Sequence, residues 1–157
     1  MTEEKKTIKK ETKKEYLYAT GRRKAAVARV RLYQTIKSGM VWGETPIIKG
    51  ELFVNEKPIA EYFPSETARR LYTEPLRITN AHQKNFTFTI KVAGGGLSGQ
   101  LQAVITGIAS VLTVLDRDQF RAILKKKGFL SRDARVRQRR KVGTGGKARR
   151  KKQSPKR

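Results

Sequence analysis

The chain contains no cysteine and only one histidine. The first absence excludes a disulfide framework, a thiolate zinc site and a thiol nucleophile. The second excludes any paired-histidine metal motif. No uninterrupted apolar run approaches the ~18 residues of a transmembrane helix. The opening MTEEKKTIKKETKKE has lysine but no apolar stretch, so it does not read as a secretory signal. Its glutamates also set it apart from acidic-poor mitochondrial transit peptides. Over the whole chain acidic residues are outnumbered: 13 stand against 37 Lys and Arg in 157 residues, a formal charge of +24. A compact protein with that excess repels itself, so a polyanion is the expected partner. Apolar residues are also few, at 37%; the usual share is ~45–50%. One modest core can be built from them, not two.

What charge there is falls unevenly. Residues 1–15 carry a net +2, residues 16–127 a net +10, and residues 128–157 a net +12 with Asp133 as their only acid. The last segment has four sizeable apolar side chains, Phe129, Leu130, Val136 and Val142. They bury too little surface to offset the entropy of ordering the segment. Three parts are therefore expected: a charged extension over 1–15, a globular domain over 16–128 and an extended basic tail over 129–157 that orders on its partner.

The middle part reads as α+β. Tyr16 to Tyr33 has strand character with a break near Ala19-Thr20-Gly21. Within it Ala28, Val30 and Leu32 alternate with Arg29 and Arg31, which predicts one wet, basic face. Glu51 to Asn55 reads as a short strand. Pro58 suits the first turn of a helix toward Tyr62. Ser65 is a candidate N-cap for Glu66 to Tyr72, with Pro75 beyond the helix end. Asn85 to Ala93 alternates as a strand. Leu101, Val104, Ile105, Ile108, Val111, Leu112 and Leu115 have helical spacing. Asp116 or Asp118 can cap a last helix through Phe120 and Leu124, which Gly128 can end.

Catalytic readings fail on their own requirements. Gly94-Gly95-Gly96-Leu97-Ser98-Gly99 matches G-x-G-x-x-G, but a dinucleotide fold needs a second strand ending in an acid about twenty residues on. Asp116 lies between two helical patterns instead. A nucleophile elbow needs G-x-S-x-G, and Gln100 replaces its second glycine. His82 has no assignable nucleophile or carboxylate partner. No enzyme activity, cofactor or metal is expected. The glycine turn retains two readings: a phosphate site at a helix N-terminus, or simply a tight turn. Arg22, Arg23 and Lys24, followed by Arg29 and Arg31, form a stripe suited to phosphates. In the tail, arginine forks can grip phosphates bidentately and lysines add point charges. The tail has no regular apolar face, so no membrane role is expected. A general DNA-binding protein is the alternative partner class, supported only by Ser154-Pro155-Lys156-Arg157.

Four motifs stand in order: Thr20-Gly21-Arg22-Arg23-Lys24, Val92 to Gln100, Ser131-Arg132-Asp133-Ala134-Arg135, and Lys147-Ala148-Arg149-Arg150 with the terminal Lys156-Arg157. In these the chain resembles the uS9 family of small-subunit ribosomal proteins, bacterial type, over about Tyr16 to Arg157. The resemblance implies a small mixed four-stranded sheet with helices packed on one face and a left-handed βαβ crossover. It implies a structural constituent of the small ribosomal subunit, cytoplasmic within the ribosome. Its partners would be small-subunit ribosomal RNA in the head, neighbouring head proteins and P-site tRNA, with no stand-alone oligomer. Carried over, the ribosomal RNA contacts are Arg22, Arg23, Lys24, Arg29 and Arg31, then Gly94, Gly95, Gly96, Ser98, Gly99 and Gln100. In the tail they are Arg132, Arg135, Arg137, Arg139, Arg140, Lys141, Lys147, Arg149 and Arg150. Lys156 and Arg157 would reach the anticodon stem-loop of the tRNA. Bacterial members often end Ser-Lys-Arg, whereas Pro155 intervenes here.

Overall fold

Residues 16–36, 40–43, 45–81 and 86–140 are described in the computed structural model. His82, Lys141, Lys147, Arg149, Arg150, Lys156 and Arg157 lie outside them. Strands β1 (Leu17–Arg23) and β2 (Ala26–Tyr33) pair antiparallel about a tight turn at Lys24-Ala25. The break expected near Gly21 is absent. The strand runs through it, and the positive φ that the turn requires is carried by Lys24, at +52°. In β2, Ala26, Ala28, Val30 and Leu32 are buried while Arg29 and Arg31 are exposed, as the alternation predicts.

A separate ribbon, β3 (Val41–Trp42) and β4 (Thr45–Pro46), precedes β5 (Leu52–Val54) and β6 (Lys57–Pro58). Then come α1 (Ile59–Tyr62), α2 (Glu66–Ile78), β7 (Thr87–Ala93), α3 (Leu97–Leu115) and α4 (Arg117–Lys126). The main sheet is mixed, in the order β1-β2-β7-β5-β6, with β5 and β7 parallel and the other pairs antiparallel. It has five strands rather than four. The fifth is the two-residue edge strand β6, too short to produce a periodic signal.

The crossover from β5 to β7 is left-handed, and its hand follows from hydrogen bonds. Phe88 N–H donates to Glu51 O (3.1 Å) and Asn55 N–H donates to Ile90 O (3.0 Å). Phe88 and Ile90 thus turn their backbone groups toward β5, while their side chains join the helix-covered core. For L-residues, viewed from the helices with β7 running upward, that combination places β5 on the right. The chain leaves β5, passes over the near face through α1 and α2, and returns to its left. Such crossovers are right-handed in about 98% of cases. Asn55, at φ +48°, extends the parallel pairing past Val54. Its side chain accepts from Val92 N–H (2.8 Å) and donates to Val92 O (3.0 Å).

The core lies between the sheet and the helices. α3 occupies its centre, with Ala103, Val104, Ile108, Ala109, Val111 and Leu112 fully buried. It is 19 residues long with a mean hydropathy of 1.4, long and apolar enough to cross a bilayer by those measures. Here that character serves packing, against β1 and β2 on one side and α2 and α4 on the other. Helix α3 sits unusually close to β1. A Cβ on Gly21 would fall 1.9 Å from Ala103 O and 2.5 Å from Gly107 N, and one on Gly107 would fall 2.5 Å from Val30 Cγ2. The two glycines face each other across the helix–strand contact.

α2 runs through Pro75 to Ile78 instead of stopping before it. Proline removes one helical hydrogen bond, but Tyr72, Pro75 and Leu76 are all buried in the core face. That burial holds the last turn in place. Thr79 then closes it, donating its hydroxyl to Pro75 O (2.8 Å). Ser65 makes no side-chain cap. Asp116 does cap α4, accepting from Gln119 N–H at 3.1 Å, and Gly128 follows its end at φ +79°.

Candidate nucleic-acid interface

Three of the sequence motifs meet at one end of the molecule. The β1–β2 turn, the β7–α3 glycine turn and the root of the tail are brought together there. Gly94 and Gly95 adopt φ +73° and +65°, and added Cβ atoms would lie 2.5 Å from Ala25 O and 3.0 Å from Ala26 Cβ. Both glycines are therefore required by the turn itself. Gln100 secures it, donating to Gly94 O (3.1 Å) and accepting from Tyr62 O–H (2.9 Å). The N-cap of α3 is Gly96, which offers no side-chain acceptor, so the first amides of α3 retain donors for an external group. Gly96 and Ser98 are exposed there, and Gly99 is half-buried.

Arg23 differs from its neighbours. By strand alternation Arg22 shares the helix-free face with Arg29 and Arg31, whereas Arg23 points to the helix side. It donates from Nε to Gln102 Oε1 (2.7 Å) and from Nη1 to Arg135 O (2.6 Å). Its Nη2 pairs with Asp133 at 2.9 Å, and its side chain is only 11% exposed. Arg135 completes the cluster. Its backbone N–H donates to Asp133 Oδ1 (2.9 Å) and its Nη2 to Oδ2 (2.7 Å). The hydrogen bonds from Arg135, with the charge of Arg23, hold the Asp133 carboxyl well below the usual carboxylate range. Phe129 and Leu130 pack against the core just before this clasp. The tail thus leaves the domain from a defined point and in a defined direction, while Arg132, Arg137, Arg139 and Arg140 remain exposed. The clasp was missed in the sequence. Its one available signal was that Asp133 is the lone acid of residues 128–157.

The helix-free face carries a second group. Arg29 lies directly opposite Lys91, and Arg31 opposite Thr89 on one side and Tyr18 on the other. With Trp42 from the β3–β4 ribbon these residues line a depression of about 180 Å³. Arg31 also stacks over the Tyr16 ring, 4.9 Å from its centroid. Among the described residues no cluster of acidic or histidine side chains could hold a metal ion.

The family model described as ribosomal protein S9/S16 matches residues 21–157. The chain is similar to "Small ribosomal subunit protein uS9" of Maridesulfovibrio salexigens, 42% identical over 133 residues, covering 85% of this chain and 91% of that protein. It is likewise similar to the protein of the same name from Solidesulfovibrio magneticus, 40% identical over 132 residues, covering 84% and 90% respectively. The glycine turn, the left-handed crossover and the basic tail root all lie within the matched residues, and the chain belongs to the ribosomal protein S9/S16 family, as a member of bacterial uS9 type.

Proposed function

We propose that this protein is a structural, RNA-binding component of the small ribosomal subunit, with no catalytic step of its own. The observation that carries the reading is the family match, which runs from residue 21 through the basic tail to residue 157. The domain over 16–128 anchors on ribosomal RNA in the head through Arg22, Lys24, Arg29 and Arg31. The Gly94–Gly99 turn offers backbone donors to a phosphate. The tail over 129–157 then threads into the RNA, aimed by the Arg23–Asp133–Arg135 clasp. Arg132, Arg137, Arg139 and Arg140 neutralise phosphates near its root, and Lys141, Lys147, Arg149 and Arg150 do so further along. Lys156 and Arg157 reach the anticodon stem-loop of P-site tRNA.

Fractionation of ribosomes on sucrose gradients tests the location: the protein should co-sediment with small subunits, and its absence from them would refute the reading. Deleting residues 132–157 should weaken binding to small-subunit RNA and flatten its salt dependence, because fewer counterions are released. An unchanged slope would mean that the tail does not bind. Removing only Lys156 and Arg157 should leave assembly intact and weaken retention of P-site tRNA, measured by filter binding on intact subunits.

A further inference from the structure

The depression on the helix-free face is built in a way that the fold alone does not explain. Arg29 and Lys91 are directly opposed across neighbouring strands, an arrangement of like charges that destabilises a sheet. Neither they nor Arg31 forms an ion pair among the described residues. Thr89, at the base of the depression, is 2% exposed. Its Oγ1 is buried without a hydrogen-bond partner among the described residues. A buried hydroxyl left unpaired costs about 1–3 kcal/mol, and such groups are uncommon enough in folded proteins to call for a cause. Two aromatic rings complete the lining, Tyr18 and Trp42. Tyr18 is 47% exposed, and its hydroxyl accepts from Thr20 Oγ1 at 2.9 Å. The ribbon that supplies Trp42 is pinned to the sheet edge, where Thr45 Oγ1 donates to Glu56 O at 2.6 Å.

We infer that this depression holds one unpaired RNA nucleotide. The base stacks on Trp42 and Tyr18, and the adjoining phosphate lies among Arg29, Arg31 and Lys91. The Thr89 hydroxyl supplies a hydrogen bond from below. Unstacked bases laid on aromatic side chains are the usual mode of single-strand RNA recognition, and every base offers a π-face to such a platform. The bound phosphate relieves the repulsion between Arg29 and Lys91. The inference rests on the RNA-binding reading above, and adds to it a site and a ligand form: a splayed nucleotide rather than duplex backbone.

Trp42 is the only tryptophan of the chain, so it reports on its own pocket. The full-length protein is titrated with a short single-stranded oligoadenylate, and Trp42 emission and RNA anisotropy are read in parallel. Saturable quenching is expected with oligoadenylate. An abasic strand of the same length and charge should bind the tail without quenching. Arg29→Gln with Lys91→Gln should weaken the quenching isotherm about tenfold while leaving the urea midpoint equal or higher, since the opposed charges are gone. Thr89→Val should likewise stabilise the free protein and weaken quenching, a combination that a purely structural threonine would not give. Anisotropy that rises with no change in Trp42 emission would overturn the pocket and leave RNA binding standing. No change in either signal would overturn both. Equal quenching by polyglutamate would assign the face to an acidic protein and also overturn the inference.

Discussion

Replacing Gly21 by alanine should damage the fold more than any single change in the neighbouring basic motif. The new Cβ would lie 1.9 Å from Ala103 O and 2.5 Å from Gly107 N, both backbone atoms of α3. No rotamer change relieves such a contact, so α3 must move away from β1. Overpacking a well-packed core costs about 1–3 kcal/mol and occasionally more. With rigid backbone as the obstacle, about 3 kcal/mol is expected here, a large part of the roughly 5–15 kcal/mol that stabilises a typical domain. Urea denaturation of the full-length protein, followed by helical circular dichroism, measures it. Two comparisons isolate the cause. Gly107→Ala meets Val30 Cγ2 at 2.5 Å, a side-chain obstacle, and gains up to about 1 kcal/mol of helix propensity. Adding Val30→Ala should rescue it in part, giving a coupling energy in the double-mutant cycle. No such rescue exists for Gly21. Gly96→Ala meets nothing within 4 Å of its Cβ, so it should cost only what a poorer N-cap residue costs, no more than about 1 kcal/mol. If Gly21→Ala also fell within that range, the close seating of α3 on β1 would be refuted.

Other consequences are open to direct measurement. Asn55→Ala leaves Val92 N–H and C=O without their side-chain partner and should cost about 1–3 kcal/mol, with faster hydrogen exchange at the Val92 amide. Leu124→Ala removes a fully buried side chain of α4 and should cost about 2–5 kcal/mol in the same denaturation assay. Asp133→Asn should loosen the clasp, so that limited trypsinolysis cuts after Arg135 faster while the urea midpoint of the domain holds. The clasp should also resist acid. Because the Asp133 carboxyl is depressed in the folded protein, its contribution is complete above the unfolded carboxylate value of about 3.9. That contribution is lost only as pH falls through the lower folded value. An NMR titration that found Asp133 protonating near pH ~3.9 would contradict the clasp.

Much of the architecture was legible because it depends on local periodicity. The alternation in β2 and β7 and the spacing along α3 each follow from one side of an element being buried. The places where local reasoning failed share a cause. Gly21 looks like a break because glycine most often marks a turn, but it answers to a helix eighty residues later in the chain. Pro75 is expected beyond the end of its helix, but burial of its ring with Tyr72 and Leu76 outweighs the hydrogen bond that it removes. β6 is two residues long and has no pattern to read.

The interface divides along the same line. Net charge and apolar content are sums over residues, so composition alone is enough to expect a polyanionic partner and to show that half of the +24 excess falls in residues 128–157. The ordered motifs of the sequence also pointed to the family. Which way each cation faces, and what it meets, follows from the fold. Arg22, Arg23 and Lys24 are consecutive and chemically alike, yet strand alternation turns Arg23 inward, where Asp133, Arg135 and Gln102 engage it. Arg29, Arg31 and Lys91 come from strands some sixty residues apart, and antiparallel register alone makes them one group. Charge is additive along a chain, but the use of a charge depends on direction and on distant partners, and those exist only once the chain has folded.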